Sequence, residues 1–147
     1  MNMNMNMNMN MNMDMDNELE IVDCEVHLWE FVRKLRNNPE VQSGFIENSY
    51  ISKDDQAKYM GSNSKYYRVC LKKGIPVGYF GVIKNDIRIC TAPQYQNQGI
   101  GEFMLKELKK IWPKANAKIK IKNKASQALF LKSGYSKTFI ILENKNL

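Results

Sequence analysis

A chain of 147 residues is long enough for one domain and too short for two ordinary ones. A domain of that size buries about 70% of its unfolded surface and needs no disulfide or metal to hold a core. Its 22 basic and 15 acidic side chains leave a charge of +7, which either recruits polyanions or reflects biased composition. Without an Arg-rich block, zinc-finger spacing or RNP-like aromatic run, nucleic-acid binding has only weak support, from charge alone.

Residues 1–17 form a Met-Asn repeat that drifts into Met-Asp, read as a disordered low-complexity tail. One domain, residues 18–147, is expected to follow. No stretch approaches the ~20 apolar residues of a membrane span, and no apolar signal region opens the chain, so a soluble cytoplasmic protein is expected. Cys24, Cys70 and Cys90 lie in apolar, strand-like runs and lack CxxC spacing. They read as free thiols, and no metal site is expected.

Residues 19–23 predict a short strand, with Asp23 placed to cap an amphipathic helix built on Val26, Leu28, Trp29, Phe31, Val32 and Leu35. Asn37-Asn38-Pro39 stops that helix. Ser52, three residues before Asp55, starts a second helix reaching Met60. Residues 66–71 and 75–83 are β-rich and joined by Lys72-Lys73-Gly74, a hairpin signal; Asn85-Asp86 turns the chain into a third run, 87–91. A helix bearing Ile100, Phe103, Met104, Leu108 and Ile111 precedes Pro113. Residues 117–122 alternate Lys with Ala or Ile and read as a strand; 125–132 read as a helix stopped by Gly134, and 135–142 as a last strand.

The informative stretch is Thr91-Ala92-Pro93-Gln94-Tyr95-Gln96-Asn97-Gln98-Gly99-Ile100-Gly101. A strand ends, a glycine-bearing loop follows, and an amphipathic helix begins at once. The first N–H groups of such a helix have no intrahelical partners and lie at the positive end of its dipole, which suits phosphate. Gly99 and Gly101 allow close backbone approach and unusual φ values. The spacing is neither GxGxxG nor a P-loop.

Gln-x-x-Gly-x-Gly preceded by Pro-x-Tyr resembles the acetyl-CoA motif of the GNAT (GCN5-related N-acetyltransferase) superfamily. Asn123-x-x-Ser126-x-x-Leu129-Phe130-x-Lys132-x-Gly134-Tyr135 resembles that family's second signature, and Leu35-Arg36-Asn37-Asn38-Pro39-Glu40-Val41 the end of its first helix. The resemblance implies an α/β GNAT fold: a mixed central sheet of about six strands, a splayed gap between the fourth (87–91) and fifth (117–122), and four helices. It implies acetyl-CoA as acyl donor, with its pantetheine arm in the gap. The backbone N–H of Ile89 would face the thioester carbonyl, Thr91 would pair with a pantetheine amide, and Asn123 would bond the arm. The amides of Gln96, Asn97, Gln98, Gly99, Ile100 and Gly101 would hold the pyrophosphate.

The family usually carries a general-acid tyrosine seven residues after the asparagine; here that position is Phe130, which has no proton to give. Glu47, in the acceptor loop 41–52 among apolar neighbours, is the candidate base, and His27 reads as structural. The acceptor is expected to be a small-molecule amine. The entry to the acceptor loop looks most like the branch acting on aminodeoxysugar nucleotides, with the branch acting on ribosomal protein N-termini related. Tyr50, Tyr66, Tyr67 and Tyr79 suit stacking or plain packing. A protein N-acetyltransferase and a non-catalytic acyl-CoA-binding module are the alternatives, as a monomer or homodimer.

Overall fold

Alternating apolar residues build a four-stranded antiparallel sheet in the order β1-β2-β3-β4, from Leu19–Asp23 (β1), Tyr67–Lys72 (β2), Ile75–Ile83 (β3) and Asp86–Thr91 (β4). The computed structural model describes residues 18–47 and 49–146, so the expected disorder of the Met-Asn tail lies outside the described residues. Lys73 and Gly74 turn the first hairpin with φ of 49° and 80°, and Lys84 and Asn85 turn the second with φ of 51° and 68°. Two left-handed residues in a row give a turn whose twist matches that of the flanking strands. The β2–β3 register shifts between Cys70 and Leu71. That bulge lets Val77 share a core with Phe80 and Val82 despite its odd spacing.

Five α-helices cover the sheet: Trp29–Asn37 (α1), Pro39–Gln42 (α2), Lys53–Asn63 (α3), Ile100–Ile111 (α4) and Lys124–Lys132 (α5). Val32, Leu35, Val41 and Met60 of α1–α3 pack with Tyr67, Val69, Tyr79 and Cys90 on one face. Ile100, Met104, Leu105 and Leu108 of α4, with Phe130 of α5, pack with Cys70, Phe80, Val82 and Ile87 on the other. A sheet with helices on both faces buries its strands on both sides, which explains the nearly continuous apolar run of β3.

Local chemistry sets the helix boundaries. Asn38 caps α2 by accepting from the Glu40 N–H at 2.9 Å, with Pro39 in the first turn, and Ser52 caps α3 by accepting from Asp55 N–H at 3.1 Å. Asp23, expected to cap the first helix, instead pairs with Arg68 at 3.4 Å, and no side chain caps α1. At the end of α5 the Gly134 N–H bonds Leu131 O and the Tyr135 N–H bonds Phe130 O, with Gly134 at φ 93°. This is a Schellman ending, completed by edge-to-face contact of Phe130 and Tyr135 at 5.1 Å between ring centroids.

Two expected strands are absent. Asn116 makes a single parallel bridge to Asp86, after which the chain leaves β4. Through 117–122, side chains take backbone groups that a strand partner would need: Gln127 Nε2 donates to the carbonyls of Lys120 (3.3 Å) and Ile121 (2.8 Å). Residues 136–142 make no backbone hydrogen bond to any described residue, and Phe139 to Leu142 are 71–91% exposed. The sheet is therefore antiparallel and four-stranded, not mixed and six-stranded, and α-helices number five rather than four among the described residues.

All three cysteines are buried, and burial pushes their thiols up, Cys24 to about 11 and Cys70 and Cys90 to about 12.

Gly101 lies inside α4, where a Cβ would stand 2.9 Å from Leu129 Cδ2. Its smallness lets α4 and α5 approach, so its φ is not the reason for glycine here. Gly101→Val should therefore destabilise the fold by roughly 1–3 kcal/mol through overpacking. Thermal unfolding should show most of that loss recovered on adding Leu129→Ala; full additivity of the two changes would remove this account.

Candidate functional site

The site begins at the outer edge of β4. The Ile87 N–H donates to Asn116 O at 2.8 Å, away from β3, while the Ala92 N–H donates inward to Val77 O at 2.8 Å. Backbone groups of a strand alternate sides with period two. The N–H groups of Ile89 and Thr91 therefore turn outward, toward the space that the chain after Asn116 has left open. That space is a cleft of about 300 Å³. It is lined by Asp86 to Ile89 of β4, by Ala117 to Ile119, by Asn123, Ser126 and Phe130, and by Phe45 to Glu47.

The glycine loop continues from the same strand. Pro93–Tyr95 forms one 3₁₀ turn, Asn97 and Gly99 take left-handed φ of 62° and 82°, and α4 starts at Ile100. No backbone N–H from Asn97 to Glu102 has a partner among the described residues. Six successive orphan donors around left-handed residues, at the positive end of a twelve-residue helix, fit an anion. Gln96 to Gly99 are exposed, and Lys72 Nζ braces the loop by donating to Gln98 Oε1 at 3.0 Å.

The remaining sequence-derived residues fall as follows. Asn123 lines the cleft, but its Oδ1 already accepts from the Ser126 N–H at 3.1 Å as the cap of α5; its Nδ2 faces Gly44. Phe130 lines the cleft and is also core, 6% exposed, fixed by the Schellman ending. Glu47 lines the cleft as an exposed residue. His27 lies outside it, exposed and 3.7 Å from Glu25. Among the described residues there is no cluster of His, Cys, Asp or Glu suited to a metal, and no helix is long and apolar enough to cross a membrane.

The four tyrosines divide. Tyr67 and Tyr79 are buried and floor the cleft. Burial pushes both phenols up, and Tyr67 shares a 2.7 Å hydrogen bond with Tyr59. Tyr66 and Tyr50 are exposed; the Tyr50 hydroxyl accepts from Arg33 at 3.3 Å. Arg33 holds the loop to α1, pairing bidentately with Glu30 and donating to Ile51 O, while Asn37 exchanges hydrogen bonds with the Ile51 backbone at 2.9 Å in both directions. Lys120 Nζ donates to Ser43 O at 3.1 Å, tying the same loop across the cleft. Arg36 and Arg88 also line the cleft, and the sequence reading gave them no role. A single chain offers no signal that brings residues 36 and 88 together, since their meeting depends on which face of β4 turns toward α1.

The sequence model of the acetyltransferase (GNAT) domain matches residues 63–137. Among solved structures, the chain is similar to the spermidine N-acetyltransferase of Vibrio cholerae in complex with CoA and spermine (TM-score 0.75, 16% identity, 87% of this chain and 86% of that one). It is similar to the ribosomal-protein-alanine N-acetyltransferase of Brucella melitensis (TM-score 0.67, 19% identity, 78% and 83%). It is likewise similar to RimL, a ribosomal L7/L12 alpha-N-protein acetyltransferase in complex with coenzyme A (TM-score 0.65, 17% identity, 80% and 79%). No curated protein matches the chain.

The glycine loop yields a test that Gly101 cannot. A Cβ at Gly99 would meet nothing within 4 Å, and Asp tolerates a left-handed φ better than most residues. If the loop holds the cofactor's pyrophosphate, Gly99→Asp should abolish acetyl-CoA binding in calorimetry, by setting a carboxylate among its anion-binding donors, and should change the melting temperature little. Undiminished binding would remove the loop from the donor site.

Proposed function

Because the chain belongs to the GNAT acetyltransferase family, we propose that it moves the acetyl group of acetyl-CoA to a primary amine bound at the Tyr67–Tyr79 end of the cleft. Acyl-CoA-dependent N-acetyl transfer is the activity of the family, with acetyl-CoA as donor. The observation that carries the placement is the line of outward N–H donors at Ile89 and Thr91, continued by the orphan donors from Asn97 to Glu102.

Acetyl-CoA supplies a thioester, at whose carbonyl carbon the amine nitrogen forms its new bond while the C–S bond breaks. The Ile89 N–H faces the carbonyl oxygen, where negative charge builds; one such fixed donor is worth roughly 3 kcal/mol in a barrier. Thr91 aligns the pantetheine arm by strand-like pairing, and Asn123 keeps its Nδ2 for the arm while its Oδ1 caps α5. Gln96 to Gly101 take the pyrophosphate. Glu47 accepts the amine proton through water. Phe130 closes the cleft beside the leaving sulfur and gives no proton, so water protonates the thiolate, which is a good leaving group at a thiol pKa of about 8.5.

For the acceptor we favour an amino-sugar nucleotide. The tyrosine floor suits stacking on a ring. The similar ribosomal-protein enzymes support a protein N-terminus as the second reading. Phe130 supports a third, a module that holds acyl-CoA without turnover. Thiol release from acetyl-CoA, measured against aminodeoxysugar nucleotides, polyamines and peptides, separates the three. Turnover with the sugar nucleotides is expected; turnover with peptides alone would replace that reading, and none with any amine would favour the binding module.

Phe130→Tyr tests the place of the acid. It adds a hydroxyl with little change in volume, aimed at the cleft. If departure of the thiolate limits turnover, kcat should rise by about 10²-fold at neutral pH, with the Kd for acetyl-CoA unchanged. A melting temperature lowered as by an unpaired buried hydroxyl, roughly 1–3 kcal/mol, would place Phe130 away from the sulfur.

A further inference from the structure

We propose that Arg36 and Arg88 form an anion subsite at the acceptor end of the cleft, so that the amine acetylated here carries a phosphate or carboxylate group. The proposal rests on reading the cleft as the acceptor site, and goes beyond it by naming what the acceptor must bear.

The chain uses arginine sparingly, four times against eighteen lysines. Two of the four hold the fold together. Arg33 is occupied by Glu30, Tyr50 and Ile51. Arg68 is occupied by Asp23, by the carbonyls of Lys65 and Tyr67, and by the Trp112 ring at 5.5 Å. Both of the others line the cleft. Arg36 comes from the last turn of α1, and Arg88 from the face of β4 that Cys90 turns toward α1–α3. Both share that cleft with Tyr67 and Tyr79, and Arg36 stands over Tyr59, the hydrogen-bond partner of Tyr67.

Neither is fully occupied. Arg36 lies over the Tyr59 ring at 5.8 Å and has no carboxylate or hydrogen-bond partner among the described residues. Arg88 gives only Nε to Asp86, at 3.1 Å, and its two terminal nitrogens have no partner among the described residues. The planar fork of arginine binds phosphate or carboxylate through paired hydrogen bonds, which lysine does not reproduce. The acidic groups of the cleft are Asp86, held by Arg88, and Glu47; Lys118 adds positive charge on the far wall. Glu47 then attracts the amine of the acceptor, and the arginines its anion. A polyamine such as the spermine bound to the similar spermidine N-acetyltransferase would meet one guanidinium with no carboxylate partner, Arg36, and a second, Arg88, whose terminal nitrogens are free of partners among the described residues. The proposal therefore expects polyamines to be poor acceptors here.

The test compares matched amines in the thiol-release assay with the full chain: ethanolamine with O-phosphoethanolamine, glucosamine with glucosamine 6-phosphate, and 1,5-diaminopentane with 6-aminohexanoate. The phosphate or carboxylate member of a pair should be favoured about tenfold or more in kcat/KM, and the pairs show which anion is read. In Arg36→Met and Arg88→Met that ratio should fall to about one through a higher acceptor KM, with the acetyl-CoA KM unchanged; Arg36→Lys should recover it only in part. A preference for the uncharged or cationic member, a ratio indifferent to both substitutions, or a raised acetyl-CoA KM would overturn the subsite and leave acyl transfer standing. If no amine turns over, calorimetry of O-phosphoethanolamine and glucosamine 6-phosphate decides. Binding lost in both Met variants would keep the subsite and reject transfer, and no binding would reject both.

Discussion

The cleft exists because β4 is paired on its outer edge at one point only. One parallel bridge, Asp86 to Asn116, and the 2.8 Å bond from Ile87 N–H to Asn116 O fix the foot of the strand. Beyond it, Ile89 and Thr91 keep their polar backbone groups turned outward with no neighbouring strand. Exposed backbone donors of this kind are normally a liability at a sheet edge. Here they leave an open edge, beside the cleft that Ile89 lines, with donors free to pair as with a strand. The loop from Ala92 to Gly99 is short, so the start of α4 follows closely, and the donors of strand and helix form one continuous track.

The other side of the cleft depends on how α5 and the acceptor loop are held. Asn123 and Phe130 each serve two purposes. Asn123 caps α5 and lines the cleft; Phe130 is the residue whose carbonyl closes the Schellman ending and also part of the cleft wall. Substitutions at either position therefore act on the helix and on the cleft wall together. The acceptor loop is positioned from both ends, by Arg33 and Asn37 on one side and by Lys120 on the other, which limits how far it swings over the cleft.

Much of this was legible from local signals. The two hairpin turns, the stop at Asn37-Asn38-Pro39, the cap at Ser52, the stop at Gly134 and the strand–loop–helix around Gly99 depend on neighbours within a few residues, and they stand where periodicity and turn chemistry put them. The misses share a physical reason. Strand propensity at 117–122 and 135–142 says that a residue suits a sheet, and says nothing of whether a partner edge is present; Gln127 took the carbonyls of the first, and the second has none. The packing reason for glycine at 101 was not legible either, because the atom that leaves no room for a Cβ is on Leu129 of another helix. Arg36 and Arg88 lie fifty-two positions apart, and their meeting in one cleft follows only from packing α1 against one face of the sheet.

The three buried cysteines bear on the product as well as on the fold. Each turnover of an acyl-CoA-dependent transferase liberates a free thiol beside the protein. With Cys24 held at about 11, and Cys70 and Cys90 at about 12, about one thiol group in ten thousand or fewer is ionised at pH 7, and none is at the surface. Disulfide exchange needs an accessible thiolate, so the described cysteines are poor partners for mixed disulfides with the coenzyme. An aromatic disulfide reagent added to the folded protein will report the coenzyme's sulfur over a nearly silent background.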